Sequence, residues 1–221
     1  MRQSAIALLG ELCRSSPTLI TPFVAQLLTV LERNFVPAVQ GEDLPPPLVA
    51  NNAVWCLGEL AVKVGGDPRA PRIGHIMSVL TAMIRSDQTP TTLRQNLAIC
   101  IGRIGVTNTA QVAGMLPEFF DDFCGCLMST LGDGVEREHA FSGLVALLHA
   151  NPAAIASTER SGRKLFLACS VWEDPPPEPL LSSLSAILQA VKDQLGKSLS
   201  SGSRQLDARR LANVMDTFRL H

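Results

Sequence analysis

The most informative stretch of the sequence reads Asn51-Asn52-Ala53-Val54-Trp55-Cys56-Leu57-Gly58-Glu59-Leu60. Its apolar residues recur at steps of three and four, which is the spacing of one face of an α-helix. The residues of that apolar stripe are Val54, Leu57, Ala61 and Val64. The pattern predicts a helix over 47–64 that buries this stripe against a neighbour.

Parts of this stretch recur elsewhere in the chain. The string Gly-Glu-Leu occurs at 10–12 and again at 58–60, and Gly102 occupies the matching place in a third apolar run. The steps are 48 and 44 residues, and a weaker fourth copy follows 43 residues later when Arg94 is placed on Arg137. A period of about 40–47 residues with two helices in each unit is typical of HEAT and armadillo repeats. We therefore predict an all-α solenoid of HEAT repeats, in which antiparallel helix pairs stack into a superhelix.

Helical periodicity alternates with short breaks of Pro, Gly, Ser or Asn along the whole chain. The predicted helices are 2–14, 18–34, 47–64, 69–86, 91–105, 110–131, 136–150, 153–172, 178–195 and 206–219. We expect 1–196 to be a HEAT array of four to five repeats, the first one incomplete, as in a piece of a longer solenoid. A polar, proline-rich insert at 41–47 accounts for the longer first step. The remaining residues, 197–221, are expected to be a loop and a terminal helix that either caps the array or is disordered.

Composition removes several classes of function. The chain has 221 residues, of which 46% are hydrophobic, and a formal net charge of −1. This apolar share can form a sizeable core, and the charge balance disfavours a strongly basic nucleic-acid binder. No apolar run approaches the ~20 residues of a membrane span, and the N-terminus lacks the pattern of a signal peptide. The six cysteines mostly lie in apolar helical runs, which indicates reduced, buried thiols and an intracellular protein.

A second pattern lies on the helix that carries the apolar stripe. Trp55 points roughly 140° from the centre of the stripe, and Asn51 and Glu59 share its ridge, four residues to either side. The equivalent residues of the other copies are Gln3, Ala7 and Glu11, then Gln95, Ile99 and Arg103, and in the weak fourth copy Glu138, Ser142 and Ala146. Because equivalent positions of a solenoid line up along one surface, the sequence predicts a ladder of amides, central apolar groups and carboxylates.

Two interpretations of this ladder are open. In the first, it is a groove for an extended peptide: Asn51 and Gln95 bond the peptide backbone, Trp55 and Ile99 hold its apolar side chains, and carboxylates such as Glu59 attract basic residues. In the second, Trp55 packs against a neighbouring repeat and Asn51 caps its helix.

The residues of the ladder are also where a resemblance to a known family lies. Residues 51–59 resemble the Asn-Asn-Ala-Thr-Trp-Ala-Ile-Gly-Glu string of the transportin family, the karyopherin-β nuclear import receptors for proline-tyrosine nuclear localisation signals. Residues 2–12 are similar to the family string Arg-Gln-Ser-Ser-Phe-Ala-Leu-Leu-Gly-Asp-Leu, and residues 96–103 to its Asn-Thr-Ala-Ile-Thr-Ile-Gly-Arg region. The resemblance extends to the last quarter of the chain and fades after Leu195.

The resemblance implies a role for the chain and for individual residues. It places the chain in the C-terminal HEAT repeats, and it implies cargo contacts at Gln3, Glu11, Asn51, Trp55 and Ile99; Glu59 joins them from the ladder. The implied cargo proteins carry basic or hydrophobic proline-tyrosine signals. Ran GTPase and nucleoporins are the implied partners of the full-length receptor, with Ran-GTP driving cargo release and the receptor shuttling between cytoplasm and nucleus. The family pocket for the proline-tyrosine pair and the Ran-GTP-binding repeats lie upstream of the matched region.

Catalytic and metal-binding patterns are missing from the sequence. The four histidines are scattered, and no HExxH, GxSxG or phosphate-loop pattern occurs. Cys124-Gly125-Cys126 has no second cysteine pair at the spacing of zinc ligands. We therefore expect no catalytic residues, no cofactor, no metal, no direct binding to nucleic acid and no insertion into a membrane. The alternative functions are a HEAT scaffold subunit of another complex, which a buried Trp55 would favour, and an enzyme.

Overall fold

The computed structural model describes residues 1–35, 45–63, 70–129, 134–156, 158–199, 206 and 208–221 of the chain. Most of these residues are helical, and no strand occurs within the described ranges. In chain order the α-helices are α1 Arg2–Ser15, α2 Pro17–Ile20, α3 Val24–Phe35, α4 Pro47–Lys63, α5 Ala70–Arg85, α6 Thr91–Thr107, α7 Thr109–Val112, α8 Leu116–Leu127, α9 Gly134–Ala150, α10 Ala153–Ala156, α11 Glu159–Cys169, α12 Leu180–Leu195 and α13 Ala208–Thr217. Short 3-10 turns occupy Thr21–Phe23, Ala113–Met115 and Gly196–Leu199.

The helices pack in two rows. Helices α1, α4, α6, α9 and α12 form the first row, in which each helix packs against the next. Helices α3, α5, α8 and α11 form the second row, and each packs on the first-row helix that follows it in the chain. Stacked helix pairs of this kind make an α-solenoid, which confirms the predicted all-α HEAT fold.

The first row is apolar on more than one side because its inner helices have a neighbour before and after them. Residues 97–101 of α6 are all buried, whereas an ordinary surface helix buries a single stripe. Within the predicted stripe of α4, the buried residues are Val54, Leu57 and Ala61, and Val64 lies outside the described residues. Further buried residues of α4 include Ala53, Cys56 and Leu60. The periodicity of one helix therefore predicts only part of the surface that this helix buries.

The repeated glycine is a packing position between first-row helices. A Cβ added to Gly102 would lie 2.5 Å from the Ala140 Cα on α9, a separation that real Cβ atoms essentially never show. A Cβ on Gly58 would meet Arg103 Cδ of α6 at 3.3 Å, and one on Gly10 would collide with the ring of Trp55. The glycine of each copy thus allows the next helix to approach closely.

Three of the predicted helices are divided in the structure. Residues 18–34 split at the 3-10 turn that contains Pro22, and residues 110–131 split at a second turn just before Pro117. Proline lacks the backbone N–H that a continuous helix needs; Pro22 is the second residue of the first turn, and Pro117 is the second residue of α8. Residues 153–172 split before α11, where the Thr158 hydroxyl accepts a hydrogen bond from Ser161 N at 3.1 Å and caps the new helix.

The C-terminal segment packs beside the end of the array. Helix α13 lies against α11, and Asn213 Nδ2 donates to the backbone oxygen of Trp172 at 3.4 Å. Trp172 is buried edge-to-face against Phe141, with ring centroids 5.5 Å apart, and Arg137 lies over its ring. Most of the predicted loop at 198–203 lies outside the described residues. The division into 1–196 and 197–221, and a capping role for the tail, stay predictions.

Candidate peptide-binding surface

Amide side chains join neighbouring first-row helices at equivalent positions. Asn52 Nδ2 on α4 donates to the backbone oxygen of Gln3 on α1 at 3.2 Å. Asn96 Nδ2 on α6 donates to Asn51 Oδ1 on α4 at 2.9 Å. The donors Asn52 and Asn96 are equivalent in the sequence repeat, and so are the acceptor residues Gln3 and Asn51. Equivalent residues therefore meet twice, once through a backbone oxygen and once through a side-chain oxygen, and we call the pair the amide contacts.

The amide contacts leave hydrogen-bonding capacity unused. A primary amide carries two N–H donors and an oxygen acceptor. Asn51 is half-buried and uses its oxygen for Asn96, while no acceptor for its Nδ2 is found among the described residues. The side chain of Gln3 is exposed. Both residues can therefore offer donors to the backbone carbonyls of a peptide.

Gln95 differs from its equivalents Gln3 and Asn51. Its Nε2 donates to the backbone oxygen of Ser129, just after α8, at 2.5 Å. This bond ties the beginning of α6 to the following helix pair. The amide of the third copy thus has a structural partner, which leaves Gln3 and Asn51 as the more open amides of the predicted ladder.

Trp55 is half-buried, and part of its ring packs on α1. An ideal Cβ on Gly10 would be 2.1 Å from Trp55 Cζ3 and 2.6 Å from Cε3, so only glycine leaves room for the ring there. The packing against a neighbouring repeat that we considered from the sequence is therefore present, but it does not cover the whole side chain. The capping role considered for Asn51 is wrong, because α4 begins at Pro47 and Asn51 lies inside the helix.

The remaining ladder residues fall into exposed and buried groups. Glu11 is exposed, and its Oε2 lies 2.8 Å from Arg14 Nη2 on the same helix. Ile99, the equivalent of Trp55, is only 5% exposed because α6 is enclosed between α4 and α9. Ile99 thus contributes mainly to packing in this structure.

The position of Glu59 differs most from the sequence-based prediction, which placed Glu59 on an open face beside Trp55. Its Oε1 lies 2.8 Å from Arg103 Nη1, and the two side chains are 6% and 5% exposed. Arg103 passes over Gly58 on its way to Glu59, and a Cβ at Gly58 would lie 3.3 Å from both Cδ and Nη1 of Arg103. The Glu59 carboxylate is therefore neutralised by a partner on the next helix.

Arg103 also contacts the helix beyond. Its Nε and Nη2 each lie 3.3 Å from Nδ1 of His139 on α9. Burial, and secondly the charge of Arg103, lower the pKa of His139 below its ordinary value. We call Glu59, Arg103 and His139 the ionic chain; it links α4, α6 and α9.

An apolar cavity of about 370 Å³ opens where α4 and α6 begin, at the same end as the amide contacts. Residues from the ends of α3 and α5 and the starts of α4 and α6 line it: Phe35, Pro45, Pro46, Pro47, Ala50, Ala82, Met83, Ser86, Gln88, Thr89, Pro90 and Leu93. The described part of the proline-rich insert thus forms one wall. Residues 41–44 of that insert lie outside the described residues.

Comparison with known proteins agrees with this architecture. The chain is 34% identical over 199 residues to Transportin-1 of Oryza sativa subsp. japonica and 30% identical over 198 residues to Transportin-1 of Homo sapiens. It is 32% identical over 189 residues to Importin subunit beta-2 of Schizosaccharomyces pombe. This is a transportin-like chain of the karyopherin-β family.

These alignments cover 86–89% of the transportin-like chain but only 20–21% of each relative. The chain therefore spans about one fifth of the length of the curated relatives that it matches. A scan against protein-family models gave no match.

The transportin-like chain presents no cluster of three or more His, Cys, Asp or Glu suited to a metal within its described residues. None of the helices in that part of the chain is both long and apolar enough to cross a membrane. All six cysteines are free and buried. Burial raises the pKa of Cys100 to about 12 and that of Cys126 to about 11, so these thiols stay protonated at neutral pH.

Sequence reasoning missed two features of the transportin-like chain. One is the apolar cavity, to which Phe35 and Met83 contribute from second-row helices that the ladder does not include. The other is the pairing of Glu59 with Arg103. A signal for this pair was present, because these residues occupy equivalent ladder positions in neighbouring copies and carry opposite charges.

Proposed function

We propose that the transportin-like chain is the cargo-binding portion of a nuclear import receptor. In this proposal an extended nuclear localisation signal of the proline-tyrosine type lies along the first row of helices, which would form the concave face of the solenoid. The observation that carries it is the repeated amide contact beside the half-buried Trp55. There, open amide donors and an aromatic ring occur together at the positions that the family resemblance implies for cargo.

Each group would contribute a different part of the binding. Gln3 and Asn51 would donate to the signal backbone, because their N–H groups are open. Trp55 would hold an apolar or basic side chain on its uncovered ring surface, by burial and cation–π contact. Glu11 would add a screened attraction for basic residues, worth about 0.2–1 kcal/mol at an exposed site.

We assign the apolar cavity to the hydrophobic part of the signal. It lies at the same end of α4 and α6 as the amide contacts, and its lining is mostly proline and aliphatic side chains. Ile99 and Glu59 would support the binding surface indirectly. Ile99 would pack beneath that surface, and Glu59 would hold Arg103 in place rather than contact the cargo.

The roles that we propose for the full-length receptor follow from the same family resemblance. In the full-length receptor, Ran GTPase would drive release of cargo, nucleoporins would be contacted during passage, and the receptor would shuttle between cytoplasm and nucleus. Under this proposal the chain carries no catalytic residue, and needs no cofactor, metal, nucleic acid or membrane insertion to bind its cargo.

Fluorescence anisotropy tests the proposal directly. Labelled proline-tyrosine signals with either a hydrophobic or a basic N-terminal segment are titrated with the wild type and with Trp55→Ala, at two salt concentrations. We expect binding that weakens at least several-fold in Trp55→Ala, because an aromatic anchor is lost. Val30→Ala is the matched control, since Val30 is an exposed apolar residue on second-row α3.

The result would be interpretable only with intact folding, so circular dichroism is measured on each variant. Absence of binding by the folded wild type, or affinity that is indifferent to Trp55 but sensitive to Val30, would refute the assignment. The packing of Trp55 on Gly10 favours one alternative, a HEAT scaffold subunit. In that case Trp55→Ala would lower the stability of the α1–α4 junction and leave peptide affinity unchanged.

A further inference from the structure

The ionic chain spans three consecutive repeats without a break. Glu59 on α4, Arg103 on α6 and His139 on α9 are joined by distances of 2.8 and 3.3 Å. Arg103 is at the centre and is 5% exposed.

The surrounding backbone holds the ends of this chain in place. Gly102 brings α6 so close to α9 that a Cβ there would lie 2.8 Å from the backbone oxygen of His139. Gly143 on α9 faces the Gly102 backbone in the same way. The backbone of His139 is therefore held close to α6, beside Arg103.

The contact with Arg103 fixes the protonation state of His139. Arginine can only donate hydrogen bonds, so Nδ1 of His139 must be the acceptor and the ring must be neutral, with its proton on Nε2. An imidazolium ring has no acceptor nitrogen. Protonation would therefore remove the contact and place two cations side by side in a half-buried position.

Charged groups of both signs surround His139. Arg103 faces it from α6, Glu59 and Lys63 from α4, and Glu138 from its own helix. A neighbouring cavity of about 210 Å³ adds further charges on its lining, those of Arg14 on α1 and Glu136 on α9. Burial and Arg103 disfavour the charged ring, whereas Glu59 and Glu138 favour it, and the balance keeps the pKa of His139 lowered.

We propose that His139 is a proton-sensitive contact that closes the α6–α9 junction when neutral and loosens it when protonated. The inference does not depend on the proposed cargo function. The direction of the pH dependence of stability follows from linkage, because His139 binds the proton more weakly in the folded chain than in the unfolded chain. The stability that neutral His139 contributes is complete above the pKa of an unfolded histidine, about 6.5, and falls as the pH drops below that value.

A proton NMR titration of the wild-type histidine rings is the first test. His75 and His149 are exposed and serve as internal references, the latter on the same helix as His139. We expect His139 to titrate at a lower pH than both. A midpoint equal to theirs or higher would overturn the proposal without any variant having to fold.

The second test measures opening of the junction. Amide hydrogen exchange of residues 100–105 and 140–144 is compared at pH 7.5 and 5.5, after correction for the intrinsic exchange rates. We expect protection to fall several-fold at pH 5.5 in the wild type and in the control His149→Gln. His139→Gln retains an acceptor that does not titrate, so it should show little change. An equal loss of protection in His139→Gln would overturn the proposal.

Two further variants test the electrostatic origin of the response. Glu59→Gln removes an anion that favours imidazolium, so the His139 midpoint should move to lower pH. Glu59→Gln/Arg103→Gln also removes the opposing cation and should return it to higher pH than Glu59→Gln alone. If the titration midpoint of His139 were the same in both variants, the charges of Glu59 and Arg103 could not control its protonation.

Discussion

In the first two turns of α1, α4 and α6, neighbouring helices are joined by neutral amides, whereas the later parts of α4 and α6 are joined by the buried pair of Glu59 and Arg103, which extends to His139 near the start of α9. The amide contacts are partly exposed, and Asn51 retains an open donor. In the ionic chain, Glu59 and Arg103 are buried and paired at 2.8 Å, and the half-buried His139 lies beside Arg103. One solenoid surface therefore has an end that can still bind a peptide and an end whose polar groups are committed to the fold.

The energies of the two ends should differ accordingly. A hydrogen bond between neutral groups contributes about 0.5–1.5 kcal/mol, because water competes for both partners. Breaking a buried ion pair by removing one partner costs about 3–5 kcal/mol, because the remaining charge has no solvent. Variants at each end test this difference in energy.

Arg103→Met should give the largest effect. It leaves the Glu59 carboxylate buried without its partner, and we expect the free energy of unfolding to fall by about 3–5 kcal/mol, measured by urea denaturation followed by circular dichroism. The control is Glu59→Leu/Arg103→Met, which replaces both charges with apolar groups and should recover most of the loss. A single variant that costs less than the double variant would show that the ion pair does not stabilise this end.

Gly102→Ala should come next. The added methyl group would press on the backbone of Ala140, and overpacking of this kind costs about 1–3 kcal/mol. Gly125→Ala on α8 is the matched control, because nothing lies within 4 Å of its Cβ position, and alanine there should stabilise the helix by about 0.5–1 kcal/mol. Thermal unfolding of the two variants should therefore shift in opposite directions. Shifts of the same sign would contradict close approach of α6 and α9.

Much of the fold could be predicted because its signals are local or periodic. The repeated glycine and the stripe with Val54 and Leu57 require only the sequence of one helix and a count of residues between copies. The amide positions Gln3 and Asn51 were found in the same way, since equivalent residues of a solenoid share one surface.

The burial of Glu59 could not be predicted from the pattern of its own helix. Its exposure depends on the helix 44 residues further on, and a helical wheel for α4 contains no information about what crosses Gly58. The prediction that Ile99 is exposed failed for a related reason, because α6 has neighbours on both sides. Periodicity assigns a face within a helix, but burial in a solenoid is decided between helices.

Asn96→Ala should have a moderate effect at the amide end. It removes the bond to Asn51 and should lower the free energy of unfolding by about 0.5–1.5 kcal/mol. A double-mutant cycle with Asn51→Ala isolates the contact itself, measured by urea denaturation. Asn52→Ala is the comparison variant, and its longer, more exposed bond to Gln3 should contribute less. A coupling energy for Asn51 and Asn96 as large as that of Glu59 and Arg103 would remove the distinction between the two ends.

Glu11→Gln should give the smallest change in stability. Because Glu11 and Glu59 are equivalent ladder residues, a comparison of the two tests the effect of side-chain exposure. The Glu11–Arg14 pair has side chains that are 51% and 57% exposed, so water and salt already screen the attraction. We expect a loss below about 1 kcal/mol that shrinks as salt is raised, since the Debye length falls from about 10 Å at 0.1 M to about 3 Å at 1 M. Urea denaturation at these two salt concentrations provides the measurement. Glu59→Gln should instead cost more and respond weakly to salt, because its pair with Arg103 is almost fully buried. If both substitutions had equal cost and equal salt dependence, burial could not be what separates the two carboxylates.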